Sequence, residues 1–115
     1  MSSELNVKVK RKENYVIIYT EGYINNIGGE EIAKQFNILF DEGFRKFLLN
    51  LKGSTIINSI GISILIEMIE KIVSEKGDLF FCNLTPVIER TFEIMGLAQY
   101  TKIFKTEKEA LNQFD

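Results

Sequence analysis

A chain of 115 residues with 45% hydrophobic and 26% charged side chains fits one packed domain, taken as residues 1–115. Fourteen Lys and Arg against sixteen Asp and Glu leave a net charge of −2, without the basic surplus expected of a nucleic-acid binder. Histidine is absent and Cys82 is the single cysteine, which excludes an internal disulfide, a Cys/His zinc site and His-dependent nucleophilic catalysis.

The start, Met1-Ser2-Ser3-Glu4, lacks the apolar stretch of a signal peptide. No run approaches the roughly 18–20 apolar residues of a membrane span. A soluble, cytoplasmic protein with no membrane segment is therefore expected.

Leu5, Val7 and Val9 alternate with Asn6, Lys8 and Lys10, the pattern of a half-buried edge strand. Lys12-Glu13-Asn14 reads as a turn, and the β-branched and aromatic run Tyr15–Tyr19 as a second strand. Gly22 opens a loop that runs to Gly29. From there to about Asp41, Ile32, Phe36, Leu39 and Phe40 recur at helical spacing, with Gly43 as a stop and Glu30 and Glu31 in the first turn. Phe47–Leu51 reads as a buried strand, followed by the loop Lys52–Thr55.

A second helix is expected from Ile60 to Lys76, closed by Gly77-Asp78. On its wheel, Ile62, Leu65, Ile69 and Ile72 share one side, with Ile66 and Val73 beside them. Ile60 and Ile64 fall among the polar residues, near Glu67 and Lys71. They form a candidate partner-binding patch, and the plain alternative is incidental exposure. Either Asn58 or Ser59 can cap this helix. A hydroxyl here also suits phosphorylation, because a helix N-terminus favours the added negative charge by about 0.3–1 kcal/mol.

Leu79–Cys82 is a further buried strand, with Cys82 as a small core residue. Thr85 and Pro86 mark the cap and first position of a helix that carries Val87, Ile88, Phe92 and Met95 and ends at Gly96. Lys102-Ile103-Phe104 reads as a last short strand and Thr106–Phe114 as a short helix. Strands separated by helices predict an α/β fold with a mainly parallel mixed sheet, an N-terminal edge strand and about four helices. No internal repeat is apparent at this level. The glycine pair Gly28-Gly29 lacks the fuller pattern of a phosphate cradle and reads as a turn.

The stretch Leu48-Leu49-Asn50-Leu51 followed by Ile57-Asn58-Ser59-Ile60-Gly61-Ile62 resembles the strand–loop–helix signature of STAS domains. Leu84-Thr85-Pro86-Val87, with Arg90, Phe92 and Met95-Gly96-Leu97, is similar to that family's next helix, and Glu21–Asn25 to its earlier loop. The likeness covers nearly the whole chain and is nearest to stand-alone bacterial anti-sigma factor antagonists. The resemblance implies a non-enzymatic regulator without cofactor or metal. Its partners would be an anti-sigma factor that is also a serine kinase, and a serine phosphatase. Ser59 matches the phosphorylated serine, and Gly61 the glycine of the Asp-Ser-x-Gly motif. Asn58 stands where the family usually has Asp, and Asn25 where the early loop often has Asp. Asn26, Ile60, Ile64 and Glu67 are the candidate partner-binding residues. The alternative is an unphosphorylated STAS scaffold or ligand sensor.

Overall fold

The computed structural model describes residues 5–114. In chain order the elements are β1 (Asn6–Arg11), β2 (Val16–Glu21), α1 (Asn26–Asp41), β3 (Lys46–Gly53), α2 (Ser59–Ser74), β4 (Asp78–Cys82), α3 (Pro86–Met95), β5 (Ile103–Phe104) and α4 (Glu107–Leu111). Short 3₁₀ turns occupy Leu97–Gln99 and Asn112–Phe114.

The five strands form one sheet in the order β1-β2-β3-β4-β5. The β1–β2 pair is antiparallel and the other pairs are parallel, so the sheet is mixed as expected. The tight turn 12–15 allows the first pairing. Every later pair needs a crossover, and the intervening helices supply it.

Strand alternation divides the core into two layers. Val16 and Ile18 of β2, Phe47, Leu49 and Leu51 of β3 and Leu79 and Phe81 of β4 face α1, α2 and α3. Ile17, Leu48, Phe80 and Cys82 point to the other face, where Ala110 and Phe114 cover them. The Phe114 ring stacks on Phe80 with centroids 5.2 Å apart. This cover explains why β3 and β4 carry continuous apolar runs: both of their faces are buried.

Several boundaries differ from expectation. α1 starts at Asn26, not near Gly29, because Asn25 caps it. Glu30 and Glu31 therefore lie beyond its first turn. α2 ends at Ser74, not Lys76, and the left-handed residue after it is Lys76 (φ +60°). Gly77 serves a different need, since a Cβ there would collide with the Arg45 carbonyl. In α2, Met68 joins the buried face while Val73 is exposed. Only Ile88 and Phe92 of α3 are buried, and Val87 and Met95 face outward.

Candidate functional site

Two segments with one pattern begin the two long helices. Ile24-Asn25-Asn26-Ile27-Gly28 leads into α1, and Ile57-Asn58-Ser59-Ile60-Gly61 leads into α2. This five-residue repeat is the internal repeat that the sequence reading missed. Its two copies lie side by side. Ile24 and Ile57 form a parallel bridge, with the Ile24 N–H donating to Ile56 O (3.0 Å) and the Asn58 N–H to Ile24 O (3.1 Å). Both bridge isoleucines are buried, which anchors the pair to the core.

The asparagines do equivalent jobs. The Gly28 N–H donates to Asn25 Oδ1, and the Gly61 N–H to Asn58 Oδ1, each at 2.8 Å. Each side chain satisfies a donor that the first helical turn leaves unpaired. The cap of α2 is therefore Asn58, and Ser59 is the first helical residue. Its hydroxyl is not needed for capping, and the residue is exposed. Its carbonyl accepts from Ser63 Oγ at 3.0 Å.

Gly61 permits the close approach of the two copies. A Cβ on it would run into the Ile24 carbonyl oxygen and come within 3.1 Å of the Ile24 Cγ2. Neither helix has an acidic residue in its first turn. The positive ends of both helix dipoles thus open toward the same region, with neutral amides where carboxylates would oppose an added anion.

Among the sequence-predicted residues, Asn25, Asn26, Asn58, Ser59, Ile60 and Gly61 all lie on these two helix starts. Asn26 and Ile60 are exposed, Ile60 by 51%. Ile64 departs from expectation. It is half-buried and packs on the core, and a Cβ on Gly29 of α1 would lie 2.8 Å from its Cδ1. It is an α1–α2 packing residue more than a surface one. Glu67 is exposed about two turns along α2, beside Asn37 and Lys71 in a shallow groove of about 150 Å³ between the helices.

Sequence reasoning missed Ile27, Ile56 and Val87, which are 67%, 52% and 60% exposed. The repeat was the available signal for Ile27, which holds the place in α1 that Ile60 holds in α2. Cys82 is buried in β4, and burial pushes its thiol up to about 12, so it stays protonated and unreactive at neutral pH.

The site so built is a surface of two paired helix starts that carries an exposed serine and exposed isoleucines. The chain matches the STAS domain family over residues 6–110 and belongs to that family. Among its relatives is BtrV of Bordetella bronchiseptica, named as a candidate anti-sigma factor antagonist. It is 22% identical over 102 residues, covering 89% of this chain and 88% of BtrV. The fold is similar to that of an anti-sigma factor antagonist from Mycobacterium paratuberculosis (TM-score 0.87, 17% identity, 98% and 96% of the two chains covered). It is also similar to the phosphorylated form of the Bacillus cell fate determinant SpoIIAA (TM-score 0.76, 17% identity, 96% and 100% covered). No helix among the described residues is long and apolar enough to cross a membrane.

Proposed function

We propose that this protein is an anti-sigma factor antagonist. It binds an anti-sigma factor that is also a serine kinase, and so frees a sigma factor. Phosphorylation of Ser59 by that kinase ends the complex, and a serine phosphatase restores it. The protein is a cytoplasmic binding module and performs no chemistry of its own.

The observation that carries this reading is the exposed Ser59 as first residue of α2, released from capping by Asn58 and flanked by exposed Ile60. A phosphate there gains about 0.3–1 kcal/mol from the helix start, so the fold accepts it. A partner seated on Ile60 does not, because a group of charge about −2 would have to lose water or be repelled at the interface. The test is incubation with a serine-kinase anti-sigma factor and ATP. Intact mass should show one added phosphate in wild type and none in Ser59→Ala, and Ser59→Glu should lose partner binding.

One observation favours a second reading, a ligand-sensing scaffold. On the sheet face away from α1 and α2, a cleft of about 640 Å³ is lined by Lys8, Tyr19, Glu21, Asn50, Lys52 and Glu107. Burial, then a hydrogen bond to Glu107, pushes the Tyr19 hydroxyl up to about 12. An unmodified wild-type mass, with Ser59→Glu binding its partner normally, would favour this reading.

A further inference from the structure

The loop between β3 and α2 delivers Asn58 and Ser59, and its first residue is the buried Ser54. Buried polar side chains are retained where they are hydrogen-bonded. Ser54 Oγ lies 2.8 Å from Oγ1 of Thr20, which is also buried. The Ser54 carbonyl accepts from Thr85 Oγ1 at 3.1 Å, across 31 residues of sequence. The Ser54 N–H donates to Leu51 O at 3.0 Å.

Thr85 is the notable member. It occupies the N-cap of α3, yet makes no capping hydrogen bond, because its hydroxyl is turned to Ser54 instead. Two residues earlier, Asn83 takes a left-handed conformation (φ +56°), and its buried Oδ1 has no hydrogen-bond partner among the described residues. A missing cap, a left-handed side-chain-bearing residue and an orphan amide oxygen therefore fall in one turn. Local rules broken together mark a place where something other than local stability is served. Here the turn holds the Ser54 end of the loop, and the Ile24–Ile57 bridge holds the other end.

We propose that Thr20, Ser54 and Thr85 form a hydroxyl clasp that positions the 54–58 loop, and with it the Asn58 cap and Ser59, for the partner; the partner role rests on the function proposed above. The three are positioning residues, acting on Ser59 through the loop. The clasp ties the start of α3 to the first residue of the loop that leads into α2.

The test uses the full chain. Amide hydrogen exchange is measured by NMR in wild type, Thr85→Val, Thr85→Ser and Ser54→Ala. Thr85→Val removes one hydroxyl at nearly constant shape and disturbs no cap. Exchange at Asn58 and Gly61 should accelerate about fivefold or more in Thr85→Val and Ser54→Ala, the factor expected for loss of one hydrogen bond. Ala110 in the short α4, which opens locally and does not touch the clasp, should exchange as in wild type, and Thr85→Ser should restore Asn58 and Gly61. With a serine-kinase anti-sigma factor and ATP, Thr85→Val should lower kcat/KM for Ser59 by a similar factor. Unchanged exchange at Asn58 and Gly61, or equal acceleration at Ala110, overturns the clasp. A wild-type chain that takes no phosphate overturns the proposed function instead, and the exchange data still decide the clasp.

Discussion

Gly61→Ala probes the contact that joins the two helix starts. The new methyl would meet the Ile24 carbonyl oxygen, with the carbonyl carbon and Cγ2 both at 3.1 Å. Most of those atoms are backbone, so rotamer changes cannot relieve the clash. Overpacking of this kind costs about 1–3 kcal/mol. Moving the Ile24 carbonyl also strains the bridge hydrogen bonds at 3.0 and 3.1 Å, worth about 1 kcal/mol each. Against this, alanine is about 1 kcal/mol better than glycine within a helix. The net expectation is a loss of about 2 kcal/mol, or about 8 °C in Tm for a domain of this size. Urea unfolding followed by circular dichroism measures it, with an unchanged m-value showing that the denatured state is unaffected. Ser63→Ala, exposed on the same helix, should stay within about 0.5 kcal/mol of wild type. A Gly61→Ala protein as stable as wild type would refute the close approach as the reason for glycine.

Asn58→Ala removes the side-chain acceptor of the Gly61 N–H and should cost about 0.5–2 kcal/mol in the same assay, whereas Asn58→Asp keeps the cap, adds charge at the dipole's positive end and should gain about 0.3–1 kcal/mol at neutral pH. Ile60→Asp should abolish partner binding with little change in Tm, while Ile64→Asp should lower Tm as well, because Ile64 packs against α1; calorimetric titration with the anti-sigma factor and thermal melts separate the two effects. Cys82 should resist iodoacetamide at pH 8 in the native protein and react once urea unfolds it, and quantitative labelling of the folded chain would contradict its burial. The same thiol makes stability fall with alkali: its folded pKa is raised to about 12, so its contribution is complete below the unfolded value of about 8.5 and is lost as pH rises toward 12.

Much of this architecture is written locally. The alternation of Leu5, Val7 and Val9, the apolar run Phe47–Leu51 and the helical spacing of Ile62, Leu65, Ile69 and Ile72 each report burial through a period of about 2 or 3.6, and such periods survive in one dimension. The glycine stops at Gly43 and Gly96 are equally local, since each has positive φ. Ser59 and its neighbours were legible as a motif. Ile64 was misplaced because a helical wheel knows only its own helix, and Gly29 of α1 decides whether that residue meets protein or water.

The features that make the region one site are tertiary. No pattern near residue 85 shows that Thr85 bonds Ser54 and leaves its own helix uncapped. Likewise, the sequence around Ser59 left open whether Asn58 or Ser59 capped α2. By itself the sequence determined the candidate residue, Ser59, and the helix that begins there. Only the folded chain decided that Asn58 takes the cap, that a second copy of the motif lies alongside through Ile24 and Ile57, and that Gly61 is needed for that approach. The physical reason is that periodicity records which face of an element is buried, while contacts between elements depend on where the sheet sets them.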